Sequence, residues 1–246
     1  MGKYIKLFET TAQYNAYTAD TANFILPNLS LALDADEIVY YHPYVEPAET
    51  RMVAKFNVTD TSNPTQILFN GSNAFTEIEV DGVVQPSVTT GYTFSTTGEH
   101  TVKYTLSSST SMGNAAFSNC SSLTSVIIPS GVTKVTSFGF ENCSSLTSIT
   151  IPEGVTNIEY GGFLNCTSLT SLVMPSTITY FGGSSLKDCS SLTSLTILAT
   201  TPPSTLGTDA LKNTNNCIIY VPSESVNAYK TANKWSSYAS RIQAIP

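Results

Sequence analysis

The stretch Phe117-Ser-Asn-Cys120-Ser-Ser-Leu123-Thr-Ser-Val126-Ile127-Ile128-Pro129 returns 23 residues later as Phe140-Glu-Asn-Cys143-Ser-Ser-Leu146-Thr-Ser-Ile149-Thr150-Ile151-Pro152. It returns again as Phe163-Leu-Asn-Cys166-Thr-Ser-Leu169-Thr-Ser-Leu172-Val173-Met174-Pro175, and then as Leu186-Lys-Asp-Cys189-Ser-Ser-Leu192-Thr-Ser-Leu195-Thr196-Ile197. A degenerate fifth copy begins at Leu211 and carries Cys217-Ile-Ile-Tyr220-Val221-Pro222. Four cysteines at a constant spacing of 23 mark one recurring structural position, so the internal repeat governs everything else.

Each position of the frame has a physical reading. Val126 and Ile128 alternate, so they share one face of a short strand, and Leu123 opens that strand. Ile127, Thr150, Val173 and Thr196 then point to the opposite face. Phe117 and Cys120, three apart, suit a helical turn that faces inward. Pro129, Pro152 and Pro175 end each strand, because proline has no N–H for a sheet ladder. Val132 with Val135, Val155 with Ile158, and Ile178 with Phe181 supply the apolar side chains of the return. One copy buries too few side chains to offset the ordering of its backbone, so copies must stack and their ends must be capped. A period of 23 falls in the leucine-rich-repeat range of roughly 20–29 residues. The expected fold is a leucine-rich-repeat solenoid over 111–221, with short parallel strands and irregular or short helical returns. Leu123, Leu146, Leu169 and Leu192, with Cys120, Cys143, Cys166 and Cys189, form its inward ladder.

Upstream, residues 52–110 change character. Met52–Val58, Phe75–Val80 and His100–Leu106 alternate apolar and polar residues, and Asp81-Gly82 is a hairpin turn signal. This predicts a small all-β module, a β-sandwich or immunoglobulin-like unit, whose last strand caps the open edge of the first repeat. Residues 222–246 predict a capping helix with Val226, Tyr229, Trp235, Tyr238 and Ile242 near one face and Ser223 as its N-cap. Residues 1–51 carry ten charged residues, whereas 111–210 carry seven, which sets a leader or attachment module apart. Asn28 to Leu33 and Glu37 to Tyr41 read as strands there, and Pro43–Pro47 as a linker.

Composition excludes several classes of partner. Only 12% of residues are charged, the net charge is −7, and 67 of the 246 residues are Ser or Thr. Such a surface is neutral and hydroxylated, and it lacks the clustered Lys and Arg that nucleic acids or anionic membranes require. No apolar run approaches the length of a membrane span. Met1–Glu9 holds no apolar signal-peptide core, so either a signal peptide is removed or none is used.

The frame F-x-N-C-x-S-L-T-S-[VIL]-x-[IM]-P resembles the BspA-type (Treponema pallidum-type) leucine-rich repeat of gut and oral bacterial surface proteins. That resemblance covers about 117–221 and implies a recognition or adhesion protein. The tail from Ile219 to Ile242 is similar to the C-terminal helix that closes many such arrays. The segment Lys6–Tyr14 through Tyr41-His42-Pro43 resembles leader modules of surface proteins from gut Bacteroidales and their phages.

Catalytic chemistry finds no motif. Nucleophile-elbow, P-loop, dinucleotide-binding and zinc-protease signatures are all absent. His42 and His100 have no partners at motif spacing and read as surface or edge residues. Four cysteines stacked at ~4.8 Å per strand cannot converge on one zinc ion, nor turn into disulfides. Asp34, Asp36 and Glu37 lack calcium-loop spacing. Gly161-Gly162 and Gly182-Gly183 read as turn glycines at corresponding points of consecutive repeats. No catalytic, cofactor-binding or metal-binding residues are therefore expected, and no cofactor. One surface remains, the outward strand face of Ser125, Ile127, Ser148, Thr150, Ser171, Val173, Ser194 and Thr196, flanked by the Thr124, Thr147, Thr170 and Thr193 column, with Tyr160 and Tyr180 on the opposite flank. The expectation is a non-catalytic protein displayed outside a cell or on a virion, in a phage-fibre role, that meets a surface protein or glycan through this face. Residues 1–51 would supply virion or self-assembly contacts, with no nucleic-acid partner and no membrane insertion. The alternatives are a bacterial cell-surface adhesin with its signal peptide removed, and a purely structural spacer.

Overall fold

The computed structural model describes residues 29–33, 39–43, 51–69 and 74–246. The chain divides into two compact units, Met1–Glu49 and Thr50–Pro246. In the first, strand β1 (Leu29–Leu33) pairs antiparallel with β2 (Val39–Pro43), where two strands were expected. Asp34, Asp36, Glu37 and the linker residues 44–47 lie outside the described residues.

The second unit opens with β3 (Arg51–Val58), β4 (Thr65–Gln66), β5 (Phe75–Val80), β6 (Val83–Val84), β7 (Gly91–Tyr92) and β8 (Gly98–Leu106). Asp81 and Gly82 both take positive φ, 47° and 84°, which a tight primed turn between β5 and β6 requires. Met52, Ala54, Phe56 and Val58 alternate inward along β3, and Val102 and Tyr104 face them from β8. The Tyr104 hydroxyl donates to the Ile67 carbonyl at 2.9 Å, so the buried phenol is satisfied.

The repeats supply β9 (Leu123–Ile127), β10 (Lys134–Val135), β11 (Ser148–Thr150), β12 (Asn157–Ile158), β13 (Ser171–Met174), β14 (Tyr180–Phe181), β15 (Ser194–Ile197), β16 (Thr205–Leu206) and β17 (Ile218–Val221). Consecutive copies pair in parallel at a shift of 23 residues, as in Ser148 with Ser125 and Ser171 with Ser194. A second parallel sheet, β10-β12-β14-β16, runs along the return side. A third line of bonds joins the turns: Phe117 N–H donates to the Gly139 carbonyl, Phe140 to Gly162, and Phe163 to Ser185, each at 2.8–2.9 Å. These turns close by i→i+3 bonds, such as Cys120 N–H to Phe117 O at 3.1 Å, and form no regular helix.

The inward ladder is buried throughout, with Leu123, Leu146, Leu169, Leu192 and the four ladder cysteines at 0% exposure. Phe117, Phe140 and Phe163 stack ring on ring, with centroids 5.4 Å apart and planes within 11°. The tilt and offset of such stacks add to simple area burial.

The first repeat is capped through a different strand from the one expected. β3, and not the last strand β8, pairs antiparallel with β9, matching Val53 with Ile127 and Ala54 with Val126. The sheet order β11-β9-β3-β8-β5-β6 therefore runs unbroken across residue 110, with β4–β7 as a separate two-stranded ribbon. β3 fills the edge that β9 would otherwise leave open.

The C-terminal end also differs from expectation. In place of one helix there is a 3₁₀ turn (Ser223–Ser225), a short helix α1 (Val226–Thr231), a second 3₁₀ segment (Trp235–Arg241) and strand β18 (Ile242–Ala244). Lys234 at φ 64° breaks the helical path, and Ser223 makes no cap. What fixes the tail is anchoring: Tyr229 OH donates to the Ala199 carbonyl at 2.8 Å and Trp235 Nε1 to the Pro203 carbonyl at 3.0 Å. The Trp235 ring also meets Phe181 edge-on at 5.8 Å. β18 then pairs in parallel with β17 and extends the sheet β13-β15-β17-β18.

Candidate recognition surface

On the outward strand face the hydroxyl columns divide into two kinds. Thr124 donates to the Lys55 carbonyl at 3.1 Å, Thr147 to the Thr124 carbonyl at 3.1 Å, and Thr193 to the Thr170 carbonyl at 2.9 Å. Thr124 thus ties the first copy to β3, and Thr147 and Thr193 tie copy to copy. Ser125, Ser148, Ser171 and Ser194 carry no side-chain hydrogen bond among the described residues, and all four reach solvent.

Beside the serines lies a transverse row. Ile127 and Val173 are 48% and 52% exposed, and Thr150 and Thr196 also face solvent. Sheet register extends the row in both directions. Val53 sits opposite Ile127, Thr150 beside Ile127, Thr196 beside Val173, Tyr220 beside Thr196, and Gln243 beside Tyr220. Tyr220 supplies the aromatic that the regular copies lack. The sequence hides its place in the row, because Tyr220 lies three residues after Cys217 whereas Thr196 lies seven after Cys189.

At the N-terminal end of the same face stands a charged cluster. Arg51 Nη1 donates to Glu79 Oε2 at 2.8 Å, Lys103 Nζ lies 3.4 Å from Glu79 Oε1, and Lys55 Nζ 2.7 Å from Glu99 Oε1. Burial pushes the Glu79 carboxyl upward, but the Arg51 and Lys103 contacts outweigh it and hold the group below its ordinary value.

The other residues singled out above have structural roles. Three of the four ladder thiols donate to the carbonyl of the phenylalanine one copy back: Cys143 to Phe117, Cys166 to Phe140, and Cys189 to Phe163, all at 3.1 Å. All five cysteines are free and buried. Burial raises the ladder thiols, Cys189 to about 12. Asn119, Asn142 and Asn165 form an amide ladder, the Nδ2 of Asn142 donating to Asn119 Oδ1 and that of Asn165 to Asn142 Oδ1, both at 2.8 Å, and all three adopt left-handed φ near 60°. Asparagine tolerates that conformation better than most residues.

His100 is not a surface residue. It is 8% exposed, with Nδ1 at 2.6 Å from Asp81 Oδ2 and Nε2 at 2.9 Å from the Thr96 carbonyl. Nδ1 faces a carboxylate and Nε2 a carbonyl, an arrangement that favours the doubly protonated imidazolium, with the Thr96 hydroxyl also 3.4 Å from Nε2. The glycine pairs are also not equivalent, because they lie 21 residues apart in a frame of 23. Gly161 underlies the Phe138 ring and Gly183 the Tyr160 ring, where an added Cβ would lie 2.9 and 3.1 Å from ring carbons. Tyr160 itself is 51% exposed. Among the described residues no three His, Cys, Asp or Glu side chains converge as a metal site, and no helix is long and apolar enough to cross a membrane.

Stacked parallel strands, an inward Leu-Cys-Phe ladder and an open strand face define a leucine-rich-repeat protein. The sequence matches the model of the BspA type leucine rich repeat region in 6 copies over residues 87–218, and the chain belongs to that family. The match begins inside the β module and counts more copies than the four full and one degenerate copies read from the sequence. Three solved structures are similar. A leucine-rich repeat protein from Bacteroides ovatus ATCC 8483 shares 25% identity over 54% of this chain and 38% of its own, with a TM-score of 0.36. The T. pallidum leucine-rich repeat protein TpLRR shares 22% over 44% of this chain and 60% of its own, TM-score 0.34. The pneumococcal vaccine antigen PcpA shares 19% over 54% of this chain and 36% of its own, TM-score 0.38. The chain thus spans less than two thirds of each of these proteins. No curated protein matches it.

Proposed function

We propose that this is a non-catalytic recognition protein whose repeat solenoid meets a partner protein through the outward strand face. The observation that carries this reading is the transverse row Val53, Ile127, Thr150, Val173, Thr196 and Tyr220. Two aliphatic side chains about half exposed stand there on open sheet, where strand alternation would as easily have placed polar residues. At ~4.8 Å per strand the row extends over tens of ångströms, a span suited to a protein surface rather than to a small molecule. The uncommitted serines beside it offer donors and acceptors that a partner's polar groups can engage. Display on a cell or virion surface, with residues 1–51 as the attachment module, completes the reading. Its support is the family and the separate compactness of the first unit.

The test is a screen of the full chain against arrays of bacterial and host surface proteins and glycans, run beside an Ile127→Asp/Val173→Asp variant. The reading predicts a saturable protein ligand whose binding the variant loses at least tenfold while melting at the same temperature. A spacer role would give no saturable ligand, and binding that the variant retains would move the interface elsewhere.

A further inference from the structure

Along the regular copies the ladder asparagine or aspartate is followed directly by cysteine, as in Asn119-Cys120, Asn142-Cys143, Asn165-Cys166 and Asp188-Cys189. The fifth copy reads Asn213-Thr214-Asn215-Asn216-Cys217, with three residues inserted into that step. Asn213 keeps its place in the ladder, since its Nδ2 donates to Asp188 Oδ1 at 2.7 Å. Thr214 turns inward and is buried, its hydroxyl donating to the Leu211 carbonyl at 2.9 Å. Asn215 and Asn216 are therefore additions with no counterpart in the other copies, and both are exposed.

The insertion forms one wall of a cleft of 720 Å³, within the size range of ligand sites of roughly 300–1,000 Å³. The C-terminal cap also lines it, through Tyr238 and Arg241. That side is rigidly held. Arg241 Nε donates to the Cys217 carbonyl at 2.7 Å, and Nη2 to the Thr214 hydroxyl at 3.0 Å. Its guanidinium carbon lies 5.3 Å from the Tyr238 ring centroid, and Nη1 has no acceptor among the described residues.

The lining chemistry selects the ligand class. Asn215 and Asn216 sit at φ 48° and 51°, and their carboxamides make no hydrogen bond among the described residues. Each offers two donors and one acceptor. Asp209 and Lys212, 3.4 Å apart and both lining the cleft, neutralise one another. Few apolar groups line the cleft, so it does not suit a hydrophobic ligand. Its cations are paired or anchored, so it does not suit a polyanion. Paired donor and acceptor groups, beside a Tyr238 ring that is half-buried against the core and carries the Arg241 guanidinium over it, match a ring that bears vicinal hydroxyls on its edges.

We propose that this cleft binds a neutral pyranose residue of a glycan. The proposal does not depend on the strand face, which lies on other residues. It is tested on the full chain by saturation-transfer NMR with methyl glycosides of glucose, galactose, mannose and N-acetylglucosamine. The paired variant is Asn215→Gly/Asn216→Gly, which removes the carboxamides while glycine keeps the left-handed backbone. Transfer to at least one glycoside, weakened at least tenfold in the Gly variant at unchanged melting temperature and unaffected by Ile127→Asp/Val173→Asp, is the expected result. Absence of transfer from all four glycosides overturns the proposal, as does transfer that survives in the Gly variant. Transfer to acetate and to none of the glycosides also overturns it, because Lys212 and Arg241 would then form a plain anion site.

Discussion

Cys143, Cys166 and Cys189 combine two tasks at one position. Each fills a small apolar space under the phenylalanine stack, and each thiol satisfies a carbonyl of the preceding copy. Buried, with raised ionisation, they hold almost no thiolate near neutrality. At pH 8 a thiol reagent is accordingly expected to label none of the five cysteines in the native protein and all five in denaturant; rapid native labelling would refute the ladder. His100 behaves in the opposite way. Burial disfavours its charge, but the hydrogen bonds to Asp81 and the Thr96 carbonyl, with the Asp81 charge, outweigh burial and raise its ionisation above 6.5. A raised value in the folded state means that this stabilisation is complete below pH 6.5 and fades as pH climbs through the raised value. Asp81, lowered below 3.8 against its own burial by the same contact, sets the acid limit: its share is present above 3.8 and fades as pH falls through the lowered value. His100→Gln should therefore cost about 1 kcal/mol at pH 6 and almost nothing well above the titration, the modest size reflecting the half-exposed Asp81 side chain. Urea melts at several pH values measure that difference, and a cost independent of pH would refute the imidazolium.

Among the elements, the short strands of the return side hold adjacent copies so close that glycine becomes obligatory. A Cβ on Gly182 would lie 2.6 Å from the Glu159 carbonyl carbon, and one on Gly207 would overlap the backbone of Gly182 and Gly183. Gly207→Ala should then cost several kcal/mol, in the range reserved for severe backbone clashes. By contrast, Gly82→Asn, at positive φ with open space around it, should cost well under 1 kcal/mol. Thermal melts of the pair decide this. The sequence could not show such contacts, because the 21-residue spacing of the two glycine pairs looks like a turn repeat until the copies are stacked. Likewise the strand alternation of Met52–Val58 was plain, but its pairing with β9 joins residues some seventy positions apart and leaves no local trace. The tail misled for another reason: Val226, Tyr229 and Trp235 keep helical spacing, yet Lys234 turns the chain so that Trp235 can reach Pro203. What was legible was periodic. The inward Leu-Cys ladder and the outward Ser and Ile/Thr/Val columns follow from a spacing of 23 and strand alternation alone, whereas Tyr220 and the Asn215-Asn216 insertion sit where the period fails.

For the molecule as a whole, stability belongs to the stack, since each copy makes its bonds to its neighbours. β3 is part of that stack, so deletion of residues 51–110 would strip the partner from β9 and expose its edge. Such a truncation should aggregate or lose cooperativity, while removal of the separate unit 1–49 should leave the melting transition of 50–246 nearly unchanged; analytical ultracentrifugation and melting of both truncations check this. The central claim is that one strand face is sealed core and the other is open for recognition. Leu146 is fully buried between Leu123 and Leu169 of the neighbouring copies, and Ser148, two residues on, is exposed. The most direct test is a pair of circular-dichroism melts, Leu146→Asp and Ser148→Asp. An unpaired carboxylate at Leu146 costs several kcal/mol of a total of roughly 5–15, so that variant should unfold, while Ser148→Asp should melt within a few degrees of the parent. Equal losses, or a greater loss for Ser148→Asp, would mean that the two faces are reversed and that the proposed recognition surface lies elsewhere.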